Sequence, residues 1–195
     1  MARRLRHIRL LHGSGATPGL SLGLAAAYIV IAMLNEVYNR RIIELAGTIP
    51  RIGRLPNPGA TATAHSRLCG STVTVDLKME GDTVTEFAHE VKACALGQAS
   101  SSIMARHVVG SKAEELREIR ETVRKMLKEN GEPPREGKWA DIAVLEPVRD
   151  YKARHASTML TFDAVVDAIG QIEAKRGAQE PAKEAAKDAA KAAAE

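Results

Sequence analysis

The chain has 195 residues, of which 45% are hydrophobic, 27% are charged and only 3% are aromatic, with a formal net charge of +4. This length can bury the core of one domain with tails, and so few aromatic residues exclude the stacking surfaces that bind single-stranded nucleic acid. Residues 1–32 hold four arginines and no acidic residue. The remainder is therefore close to neutral, and we expect no nucleic-acid partner.

The first 32 residues combine a basic stretch with an apolar run over 20–34 and are similar to a secretory signal peptide or signal anchor. The run is shorter than the roughly 20 residues that span a bilayer, and no small-x-small cleavage site follows it. We therefore expect Met33 to be the translation start and residues 1–32 to be a disordered or spurious extension. A signal or anchor segment is the alternative. On the first interpretation the protein is cytoplasmic and has no membrane partner.

From Met33 the pattern predicts a helix, a loop and a weak strand. Apolar residues at helical spacing place the helix over 34–45, and Gly47 ends it. Residues 51–60 contain two prolines and two glycines and predict a loop. Residues 61–68 alternate small and polar side chains, which indicates a weak strand.

The segment 73–79 alternates apolar and polar residues and predicts a half-buried strand. A two-residue turn at Gly81 and Asp82 follows, so that residues 61–91 predict a three-stranded antiparallel meander. We expect Asp76 and Glu80 on the outer face to be solvated. Two histidines, His65 and His89, are expected on neighbouring strands, where they are able to face each other.

The rest of the chain predicts helices. Residues 95–109 form one, and a capping box at 111–114 (Ser-Lys-Ala-Glu) opens the next, which ends at Asn130-Gly131. Residues 139–145 predict a short element that Pro147 ends. The last core helix carries an apolar stripe: Met159, Phe162, Val166, Ile169 and Ile172.

Together these elements predict an α+β fold in which helices cover one side of a three-stranded antiparallel sheet. The domain spans residues 33–177. Residues 178–195 form a tail rich in Ala, Lys and Glu, with no apolar stripe beyond alanine.

Two cysteines and one histidine are the candidate ligands. Cys69 precedes Gly70 at the joint of two strands, and Cys94 lies just before a helix, where aligned N–H dipoles stabilise a thiolate. His155 precedes or opens another helix. Two thiolates and an imidazole suit an iron–sulfur cluster or zinc. The spacing of the cysteines is not specific, so two small core residues and a surface histidine are the alternative interpretation.

Three segments resemble the IscU/SufU/NifU-type iron–sulfur cluster assembly scaffolds. They are Leu-Cys-Gly-Ser-Thr-Val around Cys69, Ala-Cys-Ala-Leu-Gly-Gln-Ala-Ser-Ser-Ser around Cys94, and His-Ala-Ser-Thr-Met-Leu from His155. The resemblance covers roughly residues 33–175 and implies a NifU/IscU-like fold. It implies a scaffold or accessory protein, and not an enzyme that turns over a small substrate.

The resemblance also implies the cargo and the partners. Iron and sulfide would be held transiently on Cys69 and Cys94 as a labile [2Fe–2S] cluster, with His155 as a ligand or a release group. A cysteine desulfurase would supply sulfur, and apo iron–sulfur proteins would accept the cluster.

Two positions depart from the family's pattern. Ser71 replaces the acidic ligand and Ala156 replaces the third cysteine, whereas a two-iron cluster uses four protein ligands. The rival interpretations are a zinc-binding sulfur-transfer protein on the same fold and a metal-free interaction module that has lost the site.

Overall fold

The computed structural model describes the backbone of residues 40–192 and the side chains of residues 40–178. The predictions for residues 1–32, for Met33 and for the start of the first helix lie outside the described residues. In chain order the elements are α1 (Arg40–Gly47), β1 (Ala60–His65), β2 (Thr72–Glu80), β3 (Thr83–Lys92), α2 (Ala95–His107), α3 (Ala113–Lys128), a 3₁₀ helix (Ala140–Asp150) and α4 (Lys152–Ala192).

The sheet is the predicted three-stranded antiparallel meander, with the strands in the order β1-β2-β3. Its apolar face is buried, because Val73, Val75 and Leu77 are fully shielded from solvent. Helix α4 packs across β1 and β2 on the core side, and α2 packs against α1, β3 and α4. The predicted α+β fold is therefore confirmed.

Asp76 is fully buried, so the prediction that it is solvated is wrong. The loop before β1 folds over the polar face of the sheet and brings Arg54 to this carboxylate, with Nε 2.6 Å from Oδ2. The Thr61 hydroxyl and the Leu55 N–H also donate to it, at 2.6 and 3.0 Å. Glu80 is exposed, as predicted. The alternation of apolar and polar residues in β2 placed Asp76 on the correct face of the sheet, but it carried no information on the loop that covers this face.

The two histidines do not face each other, because β2 lies between their strands. The exposed His65 pairs with Thr72 and contacts its hydroxyl at 3.0 Å. His89 lies on the core face opposite Val75, and its Nε2 donates to the Pro50 carbonyl at 3.0 Å.

Two predicted helix ends differ from the structure. Lys112 is the N-cap of α3, and the Ser111 hydroxyl donates to the His107 carbonyl at 2.8 Å, so it does not form a capping box. Pro147 lies inside the 3₁₀ helix and does not end it. The fixed φ of proline, near −65°, is compatible with 3₁₀ geometry, which explains why the helix continues.

Helix α4 carries most of the predicted apolar stripe, but Val165 is buried where Val166 was expected, and Val166 is half-buried. Its backbone continues past residue 178 into the Ala/Lys/Glu-rich segment. Over the described part of the chain, no helix combines the length and the apolar character needed to cross a membrane.

Candidate metal centre

The turn between β1 and β2 presents Cys69 to solvent. The Ser66 N–H donates to the Ser71 carbonyl at 2.8 Å, and the Gly70 N–H donates to the Ser66 carbonyl at 2.9 Å. Gly70 has a φ of +68°, a left-handed conformation that glycine adopts without strain. The turn is thus closed by its own backbone, and the Cys69 side chain is exposed as a free thiol.

Two buried hydroxyls contact the Cys69 sulfur. The Sγ atom lies 3.3 Å from Ser66 Oγ and 3.0 Å from Ser71 Oγ. Hydrogen bonds with Ser66 and then Ser71, assisted by the positive charge of Arg154, lower the pKa of Cys69 from 9.0 to about 7. When the thiol loses its proton, both hydroxyls can turn and donate to the sulfur. A large fraction of Cys69 is therefore thiolate at neutral pH, the form that binds metal.

Cys94 occupies the N-cap position of α2, with an extended backbone. Its carbonyl accepts the Gln98 N–H at 2.9 Å, the first hydrogen bond of the helix. Its own N–H donates to Ser71 Oγ at 3.4 Å. Ser71 therefore contacts both cysteines, which places them in one site although 24 residues separate them along the chain.

The first turns of α4 complete the surroundings of Cys94. The Cys94 Sγ lies 3.5 Å from Ser157 Oγ, and the Ser157 hydroxyl donates to the Arg154 carbonyl at 2.9 Å. Gly97 makes this close approach possible, since a Cβ there would lie 2.8 Å from the Ala93 Cβ and 3.0 Å from the Ser157 carbonyl oxygen. The absence of a side chain at Gly97 thus allows α2 to pack closely against α4 beside the Cys94 sulfur.

His155 contacts the 3₁₀ helix. Its ring is buried, and Nε2 lies 2.9 Å from the Arg149 carbonyl oxygen and 3.2 Å from the Val148 carbonyl oxygen. Both partners are acceptors, so Nε2 carries a proton and donates it. The ligand atom that remains is Nδ1. The neighbouring Ala156 is exposed.

Among the side chains that the structure describes, no three or more His, Cys, Asp and Glu groups are close enough together to hold a metal ion. Of the three predicted ligands, Cys69 contacts Ser71 through its sulfur and Cys94 contacts it through its backbone N–H. His155 does not form a group of three with them. Sequence reasoning missed the contacts of Ser66, Ser157 and Arg154. The sequence offered one indication of these contacts: Ser66 lies three residues before Cys69, and Arg154 and Ser157 lie within two residues of His155.

Residues 37–158 match the profile of the family described as NifU-like N terminal domain. This chain belongs to that family. The matched range includes both cysteines and His155, and the family prediction made from the sequence is confirmed.

Solved structures agree with the NifU-like fold. The chain is 65% identical to a nitrogen-fixing NifU-like protein (N-terminal) from Brucella abortus, with a TM-score of 0.72 over 73% of this chain and 99% of that one. A putative iron–sulfur cluster assembly scaffold protein for the SUF system from Fervidobacterium islandicum is 21% identical, with a TM-score of 0.64 over 69% and 98% of the two chains. The second similarity shows the shared fold.

Among curated relatives of this NifU-like chain is the iron–sulfur cluster assembly scaffold protein IscU of Thermotoga maritima. It is 26% identical over 140 residues, which cover 72% of this chain and 97% of that protein. The IscU scaffold protein of Streptococcus pyogenes serotype M1 is 22% identical over 141 residues, or 72% and 87% of the two chains.

Proposed function

We propose that this protein is an iron–sulfur cluster assembly scaffold, which holds iron and sulfide on Cys69 and Cys94 and passes them to acceptor proteins. Membership of the NifU-like family and the IscU relatives support this function. The observation that carries it is that Ser71 contacts both free cysteines, through the sulfur of Cys69 and the backbone N–H of Cys94. Thiolates are the ligands that iron–sulfur clusters use most.

The electrostatics of the site favour a thiolate at Cys69. Cys69 has a lowered pKa and is exposed, so it is accessible to incoming iron or sulfur. Cys94 is the N-cap residue of α2, and its sulfur lies 3.5 Å from Ser157 Oγ. We therefore assign the first binding of cargo to the exposed Cys69, with Cys94 as the second sulfur.

His155 is the third candidate ligand in this proposal. A metal-bound imidazole commonly donates its other N–H to a backbone carbonyl, which fixes the ring. His155 already makes this contact through Nε2. Ligation would use Nδ1, and a ligand supplied by another molecule would complete the four.

The remaining parts of the proposal concern partners and location. A cysteine desulfurase would deliver sulfur to Cys69, because Ala156 cannot carry a persulfide. The recipients would be apo iron–sulfur proteins, and the cargo would be a labile [2Fe–2S] cluster in the cytoplasm. The protein would thus act as a carrier that binds and releases its cargo.

Anaerobic reconstitution of the full chain with iron and sulfide tests the proposal. We expect iron and acid-labile sulfide in equal amounts, and a visible absorption that is found in the ferredoxin fraction when an apo-ferredoxin is added and the two proteins are then separated. Cys69→Ser and Cys94→Ser should each abolish retention. His155→Ala should shorten the lifetime of the cluster, whereas the matched control His65→Ala should leave it unchanged.

Two outcomes would contradict this function. Stoichiometric zinc without sulfide would favour the zinc-binding sulfur-transfer alternative. Absence of any bound metal after reconstitution, in a chain that remains folded, would favour the interaction module.

A further inference from the structure

A groove lies between α3 and the first turns of α4. Two adjoining cavities, of about 390 and 500 Å³, form it and share Lys128, Lys152 and His155 in their lining. Neither cysteine lines it. Cavities of this size hold small molecules. We call it the α3–α4 groove, and it is lined mainly by Arg120, Arg124, Lys128, Arg149, Lys152 and His155.

Positive charge dominates this lining. Five cationic side chains surround the groove, whereas its only carboxylates among the described lining residues are Asp150 and Asp163. The three arginines each bind a carboxylate. By contrast, Lys128 and Lys152 form no ion pair with any described side chain, and both are exposed. Arg124 also binds a second carboxylate, Glu129, at 2.8 Å, so the cations of the groove that no described ion pair engages are Lys128 and Lys152.

Two of the arginines also keep donors that no described residue accepts. Arg120 uses its Nε on Asp163 Oδ1, at 2.6 Å, which leaves its two terminal amino groups available. Arg149 uses one terminal amino group on Glu146, at 2.6 Å, and its Nε is buried without a hydrogen-bond partner. Paired guanidinium donors fit the oxygens of a phosphate or carboxylate. Buried donors without an acceptor are rare in folded proteins.

The floor of the groove is less polar than its rim. Leu127 and Met159 are buried there, and Ala156 adds a small apolar surface. A cationic cleft with a low-polarity wall concentrates small anions. Charge, unused donors and size thus point to the same class of ligand.

We propose that the α3–α4 groove binds a small phosphate-type anion with at least two negative charges. Lys128, Lys152 and the free amino groups of Arg120 hold its oxygens. Neither cysteine lines this groove, although His155 and Ala156 do, so it adjoins the two-cysteine centre, and anion binding there goes beyond the scaffold function. Inorganic pyrophosphate is the simplest probe of this class.

Calorimetric titration of pyrophosphate into the full chain carrying Cys69→Ser and Cys94→Ser tests the inference. This chain is not expected to hold a cluster, so the result is independent of the scaffold proposal. We expect saturable binding at one site per chain. Adding Lys128→Gln and Lys152→Gln should weaken it at least about tenfold, because charge-assisted hydrogen bonds are lost. The matched pair Lys112→Gln and Lys125→Gln removes the same charge elsewhere and should change the affinity less than about twofold.

Three results would overturn the inference. The first is the absence of saturable binding at millimolar pyrophosphate. The second is an equal loss of affinity in the two lysine pairs, which would show general attraction to a basic surface. The third is a set of amide chemical-shift changes that map away from residues 120–128 and 149–156. The replaced lysines are exposed, and a thermal melt of each variant confirms that it is folded.

Discussion

The Cys69 thiolate offers a direct measurement of the site's electrostatics. The serine hydroxyls and Arg154 lower the pKa of this thiol from 9.0 to about 7. At pH 7 this makes about half of Cys69 thiolate, compared with about 1% at the ordinary value, roughly a fifty-fold gain. A thiolate of lower pKa is also a weaker nucleophile, by roughly tenfold over this range at a Brønsted coefficient of about 0.5. The net expectation is that Cys69 reacts about fivefold faster at pH 7 than an unperturbed cysteine.

The assay is the reaction of metal-free protein carrying Cys94→Ser with an aromatic disulfide, followed by absorbance between pH 5 and 10. The rate should reach half its maximum near pH 7. Ser66→Ala and Ser71→Ala should each raise this midpoint by about one pH unit, because each removes a donor to the thiolate. Thr122→Ala, which removes a hydroxyl on α3, serves as the control. A midpoint near 9 in the starting protein, or no response to either serine variant, would refute the reasoning.

Three further predictions concern stability and cargo retention. Burial alone would raise the pKa of Asp76, but the Arg54, Thr61 and Leu55 N–H contacts outweigh it and lower that pKa. The Asp76 carboxylate therefore stabilises the fold at pH values above its unfolded-state pKa, and this contribution is lost as the pH falls through its folded-state pKa. In urea unfolding, Asp76→Asn should lower the free energy of unfolding by about 2 kcal/mol near pH 7 and by much less in acid. Gly97→Ala should cost about 1–3 kcal/mol in the same measurement, since its Cβ has no room. Ala156→Cys should lengthen the lifetime of a reconstituted cluster, because it adds a thiolate ligand.

Each of these three predictions can be contradicted by a specific result, and the two substitutions on helices have a matched control. An equal cost of Asp76→Asn at neutral and acid pH would show that the carboxylate charge is not the stabilising feature. Gly170→Ala on α4 has open space around its Cβ and should be neutral or slightly stabilising. A comparable loss in both glycine variants would contradict the packing argument. Ala153→Cys places a thiol on the same turn of α4, and equal retention by the two cysteine variants would argue against a specific ligand position.

Local pattern predicted most of the fold. Alternation of apolar and polar residues defined β2, and Gly81-Asp82 defined its turn, because both signals lie within a few residues of the feature they predict. The burial of Asp76 depended on Arg54, 22 residues away, and no local pattern reports such a contact. The cap of α3 was mistaken because Ser111 had a competing acceptor in the preceding helix.

The candidate site also contains some residues that the sequence singled out and others that it could not. The sequence could single out the two cysteines as candidate ligands because each lies in a short segment of distinctive sequence. The hydroxyls of Ser66 and Ser157 could not be singled out, since serine is common and its role here depends on the distance to a sulfur. The carbonyl contacts of His155 also come from folding of the 3₁₀ helix against α4, and a linear pattern cannot show which ring nitrogen stays free.

Because of the packing at Gly97, the backbone holds the sulfur of Cys94 more rigidly than that of Cys69. Cys94 is anchored at the junction of two helices that touch through backbone atoms, whereas Cys69 stands on a short turn around a left-handed glycine. Amide hydrogen exchange that is faster at 66–71 than at 94–98 would verify this difference. Cargo bound to both sulfurs would then have a rigid ligand in Cys94 and a more mobile ligand in Cys69. Its release would begin with dissociation from Cys69.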